Sequence, residues 1–216
     1  MKHINKIRHF TLVEIMTVIV IAAILFAIGI PAFSTMIQGN NMTVAVRQLS
    51  AKIQAARAYA VTNRCKVAVL LFEKEGKKPN IDYCYSAYRV CIVDDNSNAF
   101  QEWIADEDWK ILPKGIFRAS FSGPIAGSSP IAVSGVDTSA ISNNKENDGS
   151  TPKYNVNALL FKKNGQLEKA GIIVLAQGRS LKEGSDIKQI QTSKEKDTLK
   201  ISQYTGKITV TVDPGD

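Results

Sequence analysis

The feature that most constrains this chain is an apolar stretch over residues 10–33 that contains a single charged residue, Glu14. About 20 consecutive apolar residues are enough for a helix to cross the hydrocarbon core of a bilayer. An ionised carboxylate in that core costs at least ~2.5 kcal/mol unless it has a partner. We therefore predict a transmembrane helix in which Glu14 has a functional role.

The residues before this stretch, 1–9, carry Lys2, Lys6 and Arg8 and no acid. This charge bias favours a cytoplasmic position for this end and sends the rest of the chain outward. A cleaved secretory signal peptide fits less well, because the apolar run exceeds the usual length and no small-residue cleavage site closes it. A simple membrane anchor remains an open alternative.

Helical periodicity continues beyond the apolar stretch. Apolar residues recur at spacings of three and four at Met42, Val46, Leu49, Ile53, Ala56 and Ala60. This stripe is typical of a helix that packs on a core. We predict one helix from Phe10 to Asn63, with residues 10–33 as its membrane and assembly half and residues 34–63 as its amphipathic half. At 1.5 Å per residue it would be about 80 Å long, too long for one small core.

From residue 64 to residue 216 the pattern changes to β-strands. The segments KVAVLLF and YRVCIV flank a turn signal, GKKPN, and predict a hairpin centred near Lys78. That hairpin would place Cys65 opposite Cys91, where an oxidising exterior would favour a disulfide. The alternative is that the cysteines are small buried apolar residues.

The remainder of this globular domain alternates strand signals with polar segments. Two polar insertions are predicted, near residues 122–157 and 179–197, because large apolar residues and periodicity are scarce there. The segment TLKISQYTGKITVTV has the shape of a closing hairpin around Thr205-Gly206.

Catalysis is not indicated by any motif. Both histidines, His3 and His9, precede the apolar stretch, so the rest of the chain has no Ser/His or Cys/His pair and no imidazole ligand for zinc. Asp94, Asn96 and Asn98 alternate as at the start of a calcium loop, but the glycine and glutamate of such a loop are missing. We expect no enzymatic activity, no cofactor and no metal.

A family resemblance rests on the basic leader, the block Phe-Thr-Leu-Val-Glu and the apolar helix with Pro31. These residues resemble the start of type IV pilins and of the pseudopilins of type II secretion. The later segments LPKGI, FKKNGQ and TGKI resemble the H-type minor pseudopilins, the GspH/FimT-like proteins. The resemblance implies an α+β, pilin-like fold, in which a long N-terminal helix with a transmembrane half packs on a C-terminal antiparallel β-sheet domain.

The resemblance also implies roles for individual residues. A prepilin peptidase would remove the leader, residues 1–9, by cutting between His9 and Phe10, and would methylate the new amine; the family has glycine where this chain has His9. The Glu14 carboxylate would pair with a neighbouring subunit's N-terminal ammonium, because low dielectric strengthens that attraction. Gly29 and Pro31 would let the helix kink or melt locally.

The implied function is that of a minor pseudopilin, a non-catalytic subunit of a type II secretion pseudopilus or a type IV pilus-like filament. Its partners would be the prepilin peptidase, other pilin or pseudopilin subunits, the inner-membrane assembly platform and, before assembly, membrane lipid. It would cross the bacterial inner membrane once, with a cytoplasmic N-terminus and a periplasmic globular domain, before joining the filament.

Two alternatives remain open. In a FimT-like, DNA-binding minor pilin the segment TGKIT would contact nucleic acid through Lys207, although Thr209 stands where a second arginine is typical. The net charge is +7, of which residues 1–9 supply +3, and the remainder is too mild to mark a nucleic-acid-binding surface by itself. The second alternative is a membrane-anchored surface protein that does not assemble.

Overall fold

The computed structural model describes the backbone of residues 11–73, 80–122, 130–141, 153–183 and 186–214. Side chains are described in the same ranges except at 28–39, 122, 153, 180, 182–183 and 186–189. The chain divides into two compact units, Met1–Asn40 and Asn41–Asp216.

One α-helix and ten β-strands make up the regular structure of these ranges. The helix, α1, covers Leu12–Asn63. The strands are β1 Val67–Leu71, β2 Ala87–Val93, β3 Phe100–Trp103, β4 Lys110–Ile111, β5 Ile116–Ser122, β6 Ile131–Asp137, β7 Lys153–Phe161, β8 Gly171–Glu183, β9 Asp186–Ile201 and β10 Ile208–Asp213.

The predicted fold class, an α+β pilin-like architecture with a transmembrane half-helix, is wrong in its balance of elements and in its membrane span. The chain is mostly β-sheet, with 44% strand and 25% helix. Within the described ranges, no helix is both long and apolar enough to cross a membrane.

Much of the unexpected strand content lies in the two segments predicted as polar insertions. The long hairpin of β8 and β9, paired from Gly171 with Ile201 to Glu183 with Asp186, runs through residues 179–197. Side chains such as Arg179, Leu181 and Gln191 are exposed there. A strand that is solvated on both faces needs no apolar alternation, which explains why periodicity did not reveal it. The other segment, 122–157, contains β6, which pairs with β7.

The strands form two sheets. The first has the order β3-β2-β1-β7-β6, with β4 paired to β2, and the second has the order β10-β9-β8-β5. All the named strand pairs are antiparallel, as expected for strands joined by hairpins and short connections.

The helical stripe forms the centre of the core. The buried residues of α1 in the second unit are Met42, Ala45, Leu49, Ile53, Ala56 and Ala60. They pack with Val69 of β1 and Phe161 of β7 in the first sheet and with Leu175 of β8 in the second. The predicted core role of the stripe is confirmed, except that Ala45 rather than Val46 is fully buried. Burial of each large side chain here contributes about 1.5–3 kcal/mol.

The predicted Cys65–Cys91 disulfide is wrong because the register of β1 and β2 differs from the predicted one. Ala68 lies opposite Cys91, and Val67 lies opposite Ile92. Successive side chains alternate between the two faces of a strand. Cys91 therefore packs in a second core cluster with Ala68, whereas Cys65 contacts the cluster around the helix. Both thiols are free, and burial raises the pKa of Cys91 to about 12.

A buried arginine connects β5 to the end of β1. Arg118 is 4% exposed, and its Nη2 donates to the carbonyl oxygens of Phe72 at 3.2 Å and Leu71 at 3.4 Å. Its Nη1 lies 3.2 Å from Glu73 Oε1. Burial lowers the pKa of the Arg118 guanidinium, and the Glu73 carboxylate acts in the opposite direction. This cation donates hydrogen bonds to the last carbonyl group of β1 and to the first one after the strand.

Candidate assembly surface and basic cleft

The first part of α1 exposes a large apolar surface, which we call the apolar helix surface. Its exposed members are Leu12, Val13, Ile15, Met16, Val18, Ile19, Val20, Ile21, Ile24, Leu25 and Phe26. Leu12 is 75% exposed. Soluble monomers rarely expose contiguous apolar patches larger than a few hundred Å². A surface of this kind therefore needs another molecule to cover it.

Glu14 lies within the apolar helix surface, in the first turn of α1. Thr11 caps this turn, because its Oγ1 accepts from the backbone N–H of Glu14 at 3.2 Å. The Glu14 side chain is exposed, and no described cation forms an ion pair with it. An acid in a first helical turn is favoured by the helix dipole. The carboxylate thus projects from an apolar surface, where a cation of another molecule can reach it.

The other predicted assembly residues are only partly described. The helix is continuous through Gly29 and Pro31, whose side-chain surroundings are outside the described part. His9 and Phe10, the predicted cleavage position, lie outside the described residues.

A second site lies in the β-rich unit, where the last turns of α1 face the β9–β10 turn. This cleft, which we call the basic cleft, has a volume of about 610 Å³. It is lined by Gln54, Arg57, Ala58, Val61, Thr62, Thr205, Gly206, Lys207 and Ile208. Lys207 was predicted from the sequence as a nucleic-acid contact, whereas Arg57 was missed.

Arg57 bonds to the backbone of one loop and lies close to the backbone of another. Its Nε donates to the carbonyl oxygen of Gly165 at 3.0 Å. Gly206 has φ +63°, and a Cβ at that position would lie 2.7 Å from Arg57 Cδ. The turn therefore requires glycine for its conformation and for its close approach to the arginine. The available sequence signal for Arg57 was its position next to Ala56 of the helical stripe. That signal was not enough to identify the cleft, because Gly165, which Arg57 contacts, lies 108 positions later in the chain.

The chemistry of the basic cleft suits an anion held by side chains. The turn amides are already used, since Gly206 N–H donates to Ser202 O at 2.9 Å and Lys207 N–H to Thr205 Oγ1 at 3.2 Å. Two cations and the hydroxyl groups of Thr62 and Thr205 remain as donors. Affinity for nucleic acid at physiological salt normally requires several cations.

The calcium-like pattern at residues 94–98 forms a capped turn. Asp94 Oδ1 accepts from the Ser97 N–H at 2.8 Å and from the Ser97 hydroxyl at 2.7 Å. Hydrogen bonds from Ser97 and Asn96 lower the pKa of Asp94. Asn98 Oδ1 accepts from the Lys66 ammonium, which also forms an ion pair with Glu168 at 2.6 Å. In the ranges that the structure describes, no three His, Cys, Asp or Glu residues form a metal-binding group.

Comparison of the chain with family models, curated proteins and solved structures gives no match. The features of the chain that bear on function are the apolar helix surface, the basic cleft and the sequence motifs.

Proposed function

We propose that this chain is a minor pseudopilin, a structural subunit of a type II secretion pseudopilus or of a type IV pilus-like filament. The observation that supports this proposal is the apolar helix surface. Its apolar residues occupy consecutive positions such as Leu12 and Val13, or Ile15 and Met16, so they point to different sides of the helix. A helix that is apolar on all sides is normally buried. Several neighbouring helices in a filament would bury it in this way.

The proposed partners follow from this surface and from the family resemblance of the N-terminal residues. Before assembly, membrane lipid at the bacterial inner membrane would cover it, and the β-rich unit would lie in the periplasm. A prepilin peptidase would release Phe10 as the new N-terminus, and an inner-membrane assembly platform would transfer the subunit to the filament. There the Glu14 carboxylate would pair with the terminal ammonium of a neighbouring subunit.

The first test is processing of the full chain. We expect co-expression with a prepilin peptidase to yield a chain that begins at N-methylated Phe10, measured as the intact mass. Co-expression with a catalytically inactive peptidase is the control, and H9G, which restores the glycine of the family, is the matched variant. If H9G is cut and the natural chain keeps Met1, the pseudopilin assignment is wrong and the anchored surface protein is favoured.

The second candidate function is DNA binding by a FimT-like minor pilin. The observation that favours it is that Arg57 lines the same cleft as Lys207, which supplies a second cation to the site. If DNA binds there, K207E should weaken binding to a double-stranded fragment at least ~10-fold, and the salt dependence should have a slope of about −1.8 for two phosphate contacts. The control is K200E, which makes the same charge change on exposed β9. Equal binding by both variants would exclude the cleft as the DNA site.

A further inference from the structure

Strand β10, Ile208–Asp213, is an edge strand with unusual exposure. It ends the second sheet, and β9 is the strand that pairs with it in the described ranges. Every residue from Thr209 to Asp213 is exposed, including Val210 at 41% and Val212 at 66%. Natural edge strands are usually blunted by lysine, proline, bulges or a covering loop. Here Thr209 to Val212 are all β-branched and uncharged, which suits strand pairing.

The hydrogen bonds of the β9–β10 hairpin show which backbone groups face outward. The N–H of Ser202 donates to the carbonyl oxygen of Lys207 at 3.0 Å, and Ile208 lies opposite Ile201. Hydrogen-bonded and non-hydrogen-bonded residue pairs alternate along an antiparallel ladder. Because Lys207 belongs to a hydrogen-bonded pair, Thr209 and Thr211 also form hydrogen bonds with β9. The N–H and C=O groups of Ile208, Val210 and Val212 point away from the sheet.

We propose that β10 pairs antiparallel with β10 of a second copy of this chain, about a two-fold axis at Val210. In this register Val210 lies opposite Val210 of the second copy, and Ile208 lies opposite Val212. The outward backbone groups of these residues then exchange hydrogen bonds. Thr209 lies opposite Thr211, and such β-branched pairs stabilise antiparallel strands.

Charge selects this register over its neighbours. Lys207 lies opposite Asp213 of the second copy, so opposite charges face each other at each end of the paired strands, while Asp213 keeps its interaction within its own chain. With the axis at Thr211, Ile208 would face Pro214, which has no N–H to donate. With the axis at Thr209, Lys207 would face Thr211, and Gly206 of the turn would enter the ladder. Only the axis at Val210 combines complete bonding with opposite charges.

The pairing is independent of the proposed filament function. A two-fold contact joins the same surface on both copies and closes after two subunits. Subunits of a polar filament all point in one direction, so this two-fold contact would form between chains that are not part of a filament. The test of processing by a peptidase and the test of pairing through β10 can therefore have different outcomes, and failure of one does not imply failure of the other.

Disulfide trapping tests the register in the full chain, solubilised in detergent. Opposed residues of a non-hydrogen-bonded pair have Cα atoms about 4.5 Å apart, within the range of a disulfide. We expect a mixture of T209C and T211C chains to form a dimer linked between positions 209 and 211, identified by peptide mass. Either variant alone should give no such dimer. Absence of the mixed dimer, or equal linkage in each variant alone, would overturn the proposal.

A proline substitution tests the backbone contact itself. V210P removes an outward N–H and leaves the bonds to β9 in place, as edge positions allow. V210T is the matched control because it keeps the N–H. In sedimentation, the natural chain and V210T should form dimers, whereas V210P should remain monomeric with an unchanged circular dichroism spectrum. A monomeric natural chain, or a dimeric V210P, would contradict pairing through β10.

Discussion

Replacing Glu14 with leucine is expected to abolish incorporation of the chain into a filament while leaving its recovery with membranes unchanged. The substitution removes the one charge of residues 10–33 and adds an apolar side chain to an apolar surface. In the proposed contact it would leave a neighbouring subunit's ammonium without its partner. Removing one member of a buried ion pair costs about 3–5 kcal/mol. A loss of this size lowers an equilibrium at least ~100-fold.

The measurement is an immunoblot of sheared filaments from cells that express each variant. E14D retains the charge and should keep part of the incorporation, whereas V18L changes an exposed apolar residue of the same surface and should have no effect. Normal incorporation of E14L would show that Glu14 does not set the contact between subunits.

Replacing Arg118 with methionine should lower the free energy of unfolding by about 3 kcal/mol. The guanidinium is almost fully buried and donates to the carbonyl oxygens of Leu71 and Phe72. Methionine fills a similar volume but has no donor, so both carbonyl groups lose this partner. An unsatisfied buried polar group costs about 1–3 kcal/mol.

Denaturant titration of the two chains, followed by circular dichroism, measures this difference. R47M makes the same substitution at an exposed position of α1 and should change the free energy by less than about 0.5 kcal/mol. If R118M and R47M unfold at the same denaturant concentration, the buried arginine does not stabilise the end of β1.

Local spacing was sufficient to predict two parts of the fold. The three- and four-residue spacing from Met42 to Ala60 predicted the helix face that packs on the core. The turn signal at Thr205-Gly206 predicted the β9–β10 hairpin, in which Ile208 lies opposite Ile201. In both cases the residues that determine the structure are close together in the chain.

The register of β1 and β2 could not be predicted in the same way. A long connection, residues 72–86, separates the two strands, so no tight turn sets their alignment. Packing on both faces of the sheet sets it instead, with Ala68 and Cys91 in one cluster and Val67 in the other. The prediction of a symmetric hairpin about Lys78 was therefore wrong. The predicted disulfide was also wrong, because it depended on that hairpin to place Cys65 opposite Cys91.

The sequence by itself determined the apolar segment, the position of Glu14 within it, and the helical stripe, because each depends on the order and spacing of nearby residues. The tertiary structure alone decided that Arg57 shares a cleft with Lys207, that Cys65 and Cys91 lie on opposite faces, and that β10 ends a sheet. These relations join positions far apart in the chain. They follow from burial and strand pairing across the whole β-rich unit, which no local pattern records.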